Sequence, residues 1–239
     1  TLFQLDALYV DAKSHKFDGL GAHYYFHETE NTVYGLSAAY VSGDLVNSRM
    51  LALESIYFPK RFKHLTFGTK LGYASIEYAT PMPFVDTDLK KAFGMIYCEY
   101  LHRDRWLFNV AYENRFSLNT VRLKTEYLSS IDNLSFFCEL QKSSNDYEHA
   151  LVGLRYHFGN KGTINRSEDS ESTWSMRKRR GHFSNSVYET FFGIGVYGAL
   201  YNKNGNRYAK ENGLDIDFKN YGVESTIIGG DEEIESTTP

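Results

Sequence analysis

Residues 151–158 read Leu-Val-Gly-Leu-Arg-Tyr-His-Phe (LVGLRYHF), followed by Gly159. On an extended chain Val152, Leu154, Tyr156 and Phe158 point one way, and Leu151, Gly153, Arg155 and His157 the other. That period of two predicts a strand with an apolar face and a mixed, polar face. Working back from it, the preceding residues divide into segments of the same kind. They lie near 2–12, 18–28, 32–42, 50–58, 64–78, 90–101, 105–115, 120–129, 134–142 and 149–159. Turn formers and charges separate them: KSHKFD, ETEN, SGDLVNSR, PKRFKH, TPMPFVDTDL, HRDR, FSLNT, SSIDN and SSNDYE. Ten strand-like segments of about ten residues exceed the usual ~5–6 residues of a soluble strand and match the signature of membrane barrels.

The two faces differ in chemistry. In 105–116, Trp106, Phe108, Val110 and Tyr112 oppose Asn109, Glu113 and Arg115. In 64–73, Leu65, Phe67, Leu71 and Tyr73 oppose Gly68, Lys70 and Gly72; in 121–127, Val121, Leu123 and Tyr127 oppose Arg122, Lys124 and Glu126. Leu134, Phe136, Cys138 and Leu140 oppose Glu139 and Gln141, and Leu20, Ala22, Tyr24 and Phe26 oppose Gly19, Gly21, His23 and His27. Charges midway along a face that also carries Gly and Ala suit a narrow lumen, with the apolar face turned to lipid.

The composition agrees. Of 239 residues, 19 are Tyr and 17 Phe, an aromatic load that barrels use for interfacial girdles. No run approaches the ~18 apolar residues of a transmembrane helix. Net charge is −4, which gives no electrostatic footprint for nucleic acid. The chain opens at Thr1, without Met and without a basic-then-apolar leader, as a mature exported protein or a trimmed chain does. Cys98 and Cys138 fall on segments that are not expected to be neighbours, so two semi-buried thiols are expected and not a disulfide.

The Gly153-x-x-Tyr156-x-Phe158 ending resembles the closing strand of bacterial outer-membrane β-barrels, where this pattern is the assembly signal. The resemblance implies an outer-membrane bilayer as surroundings, recognition by barrel-assembly machinery, and a small porin-like protein. The expected fold is all-β: an antiparallel up-and-down transmembrane barrel of about ten strands over residues 1–159, with eight or twelve as alternatives. Longer odd-numbered connections and tighter even-numbered ones fit outer loops and periplasmic turns.

Past Gly159 the character changes. Residues 160–186 are polar, with charge blocks of both signs, and read as a linker. Segments 187–201 and 213–227 suggest a hairpin, either two more barrel strands or a periplasmic appendage able to meet a protein partner. GGDEEIESTTP reads as a disordered acidic end.

The inward set predicts a lumen charge network of Glu54, Lys70, Glu113, Arg115, Arg122, Lys124, Glu126, Glu139 and Arg155. Enclosed charges must pair, so these either fill the lumen or line a narrow polar conduit. No cofactor or metal site is expected: His23 and His27 stand about 13 Å apart on a strand, too far for one ion. A catalytic set is not expected either. No GxSxG element occurs, and Ser14, His15, Asp18, Ser42, Asp44, Ser48, Asp86, Asp88, Asp146 and His149 are ordinary loop residues. Two other readings use the same alternation. One is a soluble or periplasmic barrel enclosing a small apolar ligand; the other is a barrel hydrolase acting on lipid or peptide.

Overall fold

The computed structural model describes residues 2–12, 15–29, 31–62, 64–79, 88–103, 105–129, 134–145, 147–156 and 186–214. Ten strands follow one another: β1 (Leu2–Ala12), β2 (His15–Glu28), β3 (Thr32–Gly43), β4 (Val46–Tyr57), β5 (Leu65–Tyr78), β6 (Asp88–His102), β7 (Trp106–Arg115), β8 (Leu118–Leu128), β9 (Leu134–Ser143) and β10 (Glu148–Tyr156). Each pairs antiparallel with the next, giving the order β1 through β10 in one up-and-down sheet. The sheet curls around an interior: side chains from β2, β5, β7, β8 and β10 all reach the same helix. The upper rim is defined here as the end carrying the odd-numbered connections, and the lower rim as the opposite end.

Strand lengths of nine to fifteen residues follow from the long alternations, but the boundaries move. SGDLVNSR, expected as an eight-residue outer loop, contributes most of its length to β3 and β4, leaving Asp44 and Leu45 as the connection. Its Ser48 and Arg49 continue the alternation, with Ser48 buried and bonded to Ser75 O at 2.8 Å. The expected contrast in loop length therefore weakens: three odd-numbered connections, 13–14, 44–45 and 116–117, span two residues each, and 58–64 on the lower rim is seven residues long. A bulge between Tyr25 and His27 shifts the register, so the simple period of two that put His23 and His27 together stops at Tyr25.

The larger correction is in the C-terminal region. Residues 187–201, read as one strand of a hairpin, lie in helix α1 (Ser186–Glu211). This rules out that segment as an eleventh barrel strand. Its Gly193, Gly195 and Gly198 each cost a free helix about 1 kcal/mol relative to Ala, so surroundings must stabilise it. Residues 186–198 are buried on every side apart from the half-buried Tyr188, as expected of a helix inside a protein interior. The partner segment 213–227 beyond Leu214, the linker and the acidic end lie outside the described residues, as do His157 and Phe158.

Phe17, Val41, Ile76, Phe93 and Leu151 of the wall join Val187, Phe191 and Ile194 of α1 in one apolar cluster. Phe17 meets Phe191 edge-on at 5.2 Å between ring centroids. The helix lies closest to β1–β4, where inward positions are small. A Cβ on Gly19 would stand 2.5 Å from Val187 Cγ2, and Ala39 and Ala52 line the same side. Across the lumen, Arg115 of β7 and Arg122 of β8 reach the helix.

Candidate functional site

Burial along the strands inverts that of a soluble β-protein. Leu20, Leu71, Tyr73, Val110 and Leu154 are exposed, Tyr73 at 69% and Leu71 at 65%. Glu54, Lys70, Glu113, Arg115, Glu126 and Glu139 are buried, Lys70 at 1%. A soluble barrel around an apolar ligand needs the reverse, so that alternative fails on this geometry. The free thiols behave separately: Cys98 on β6 is half-buried, and Cys138 on β9 is exposed on the outer face.

The charged side chains do not face an empty middle. Lys70 Nζ stands 2.8 Å from Glu54 and 2.5 Å from Glu189, which belongs to the first turn of α1. Arg115 donates to the backbone carbonyl of Glu189 at 3.0 Å and pairs with Glu113 through Nε. Arg122 donates to Glu113 at 3.0 Å and lies 3.7 Å from Glu139 and 3.9 Å from Glu189. One network thus joins β4, β5, β7, β8 and β9 to the helix. Glu189 could not be recognised in the sequence as part of this set, because its segment read as a strand of a separate hairpin.

Lys124 and Glu126 form a second group nearer the lower rim, 3.5 Å apart, with Ser135 donating to Glu126 at 2.6 Å. Asn109 donates to Glu99 at 3.0 Å beside them. Glu99 is inward and buried at 4%; the alternation through Phe93, Met95 and Tyr97 was the signal that would have added it. Arg155 is placed on β10 opposite Ser135, Tyr156 opposite Leu134, and Gly153 opposite Phe137. A Cβ on Gly153 would come 2.7 Å from the Phe137 ring, so packing alone requires the glycine.

The helix start is held by His23, which is fully buried. Ser186 Oγ lies 2.7 Å from His23 Nε2, while His23 Nδ1 faces Glu54 at 3.3 Å and Nε2 also faces Asp6 at 3.1 Å. Ser186, His23 and Glu54 line up as a hydrolase triad would. Here, however, both ring nitrogens face carboxylates and Ser186 has no exposed surface, so the alignment anchors a helix terminus. Tyr25 adds a 2.9 Å bond to Glu54.

At the upper rim Asn145 donates to Val196 O at 2.6 Å, and Tyr197 packs between Tyr78 and Phe116. Tyr147 lies against Gly195, where a Cβ would meet its hydroxyl at 2.5 Å. Burial pushes the Tyr147 phenol up to about 12. Of the loop residues weighed as catalytic, Ser14, Asp86 and Asp146 lie outside the described residues. Asp44 accepts the Lys16 amide at 3.2 Å, and His149 sits in the wall stacked on Phe192. Among the described residues no group of His, Cys, Asp and Glu could hold a metal ion.

No family model matches the chain, and no curated protein matches it. Two solved structures share its fold. A KdgM porin superposes with a TM-score of 0.51 at 15% identity, over 66% of this chain and 85% of that one. A KdgM porin in complex with disordered oligogalacturonate gives 0.52 at the same identity and coverage. The fold is therefore that of a porin-like β-barrel. No helix of the described residues is long and apolar enough to cross a membrane.

Proposed function

We propose that this chain is an outer-membrane β-barrel whose lumen is closed by its own helix α1, a plugged, narrow conduit and not an enzyme. The observation that carries this reading is Glu189: a helix carboxylate placed between Lys70 of β5 and Arg122 of β8. The exposed apolar face supports lipid as the surroundings, since a soluble barrel would leave that area in water at high cost. The barrel lining supports closure, because a described interior base is met by carboxylates wherever its partners are resolved.

The neighbouring porin structure holds oligogalacturonate, a polyanion. A polyanion needs cationic groups that are free to bind it. Here Arg115, Arg122 and Lys70 are already committed to Glu113, Glu54 and Glu189, which argues against the same cargo. The Gly153–Tyr156–Phe158 pattern remains the proposed assembly signal, and barrel-assembly machinery the proposed partner.

The test is conductance in a planar bilayer. Wild type is expected to show no long-lived open steps. Glu189→Lys, which faces Lys70, Arg115 and Arg122 with a like charge, is expected to produce them. Heat-modifiable gel mobility would establish that both proteins are folded barrels. Large, stable steps from wild type, unchanged by Glu189→Lys, would contradict the plug.

A further inference from the structure

Both ends of the barrel lie at the lower rim. Tyr156 ends β10 opposite Leu134, and β1 opens with Leu2 paired to Tyr25. Helix α1 starts higher. Ser186 is fully buried against His23, midway along β2, and Val187 packs on Gly19 and Gly21 of that strand. From there the helix climbs. Phe191 meets Phe17 near the top of β2, and Phe192 stacks on His149 near the start of β10. Val196 and Tyr197 are level with the upper turns, where Asn145 and Phe116 hold them. The helix runs on through residues 198–211, about 21 Å at 1.5 Å per residue. It therefore passes the upper rim.

The chemistry of α1 changes at that level. Residues 186–202 carry a single charge, Glu189, which is paired inside. Residues 203–211 carry Lys203, Arg207, Lys210 and Glu211, all exposed. An enclosed helix becomes one that meets water. Its end is also finished without help from the wall. Gly213 turns at φ 65°, its amide reaching Lys210 O at 3.4 Å, and the Leu214 amide bonds to Ala209 O at 2.9 Å. That pair of bonds satisfies the last carbonyls from within the chain itself.

The route to Ser186 follows from two fixed ends. Residues 157–185 lie outside the described residues, but they join Tyr156 at the lower rim to a serine inside the lumen, above which the helix takes the space. A path around the outside of the barrel would draw backbone amides and Arg177, Lys178, Arg179 and Arg180 across hydrocarbon. A path from below crosses none.

We infer that α1 is a thread as well as a plug. The chain enters the barrel from below, crosses the membrane inside it, and is held with everything beyond Glu211 on the side opposite the barrel's own two ends. The upper rim bears the longest connection, 79–87, as the outer face of a membrane barrel does, so that side is the cell exterior. The barrel thus presents its own C-terminal segment at the surface. The inference rests on the outer-membrane reading.

Single-cysteine labelling in Gram-negative cells tests it, with a maleimide too large to cross the outer membrane and Cys98 and Cys138 both replaced by Ala. Leu45→Cys marks the upper rim and Arg105→Cys the lower. Lys210→Cys reports the end of α1, and Ser172→Cys the connection that precedes it. In intact cells Lys210→Cys is expected to react as strongly as Leu45→Cys. Arg105→Cys and Ser172→Cys should react only after lysis. Heat-modifiable mobility reports folding, and Glu211→Cys, exposed on the same turn, replaces Lys210→Cys if that variant does not fold. Lys210→Cys silent until lysis, in cells where Leu45→Cys reacts, would overturn the inference. Ser172→Cys reacting in intact cells beside Leu45→Cys would overturn the threading. Identical behaviour of Leu45→Cys and Arg105→Cys would instead contradict the outer-membrane reading itself, which separates the two failures.

Discussion

Lys70 is the residue on which the interior turns. It is enclosed almost completely, and its ammonium is shared by Glu54 of the wall and Glu189 of the helix. Removing one partner of a buried pair leaves the other charge without compensation, at about 3–5 kcal/mol. Lys70→Met should cost that much in refolding titrations with denaturant, and Lys70→Met with Glu189→Gln should recover part of it. A loss below ~1 kcal/mol would mean that water already screens the pair. Tyr147 makes a pH-dependent counterpart at the upper rim. Its folded phenol titrates near 12, against about 10 when unfolded. Below pH 10 both states hold the proton, so the burial it gives is fully present. Between 10 and 12 the unfolded state alone ionises, and stability falls as pH rises, by at most about 1.4 kcal/mol per unit. The difference in absorbance between wild type and Tyr147→Phe during an alkaline titration should show the midpoint near 12. A midpoint near 10 would place that ring in water.

At the scale of elements, the helix and its bed depend on each other. Gly19 and Gly21 of β2 leave room for Val187, and Gly193 and Gly195 of α1 leave room for Arg115 and Tyr147. Gly19→Leu should therefore displace the helix without unravelling the strands. Its expected signature is unchanged gel mobility with the same conductance steps as Glu189→Lys, and loss of the folded band would contradict it. The strands were legible because the alternation runs long, as in β7 from Trp106 to Arg115, and continues through the polar positions. The bulge at Tyr25 was not legible, since an inserted residue leaves no local compositional mark. The helix was misread for a stronger reason. YETFFGIGVYGALYN is apolar on every side and rich in Gly and aromatics, so it lacks the one-faced period by which an exposed helix is recognised. Only a container explains such a segment. The Gly and Ala residues facing inward on β2–β4 were the available sign that something had to fit inside.

The whole molecule is organised inside out. Ten antiparallel strands put aliphatic and aromatic side chains outside and a paired ionic network within, and a helix fills the space between the walls. Of the interior charges expected from alternation, Glu54, Lys70, Glu113, Arg115, Arg122 and Glu139 stand near one another around Glu189, while Lys124 and Glu126 form their own group nearer the lower rim. The fold shared with the KdgM porins sets the frame, and the proposed plug rests on what the wall and helix side chains do inside it. All of this requires that the exposed face of the strands meets hydrocarbon. Fluorescence quenching by brominated lipids reads that contact directly. With Trp106 and Trp174 both replaced by Phe, a single Trp introduced at Val110, which is 52% exposed at mid-strand, should be strongly quenched in bilayers carrying bromine on the acyl chains. It should also be shielded from aqueous iodide. A Trp at position 110 that iodide quenches and brominated acyl chains do not would contradict the account.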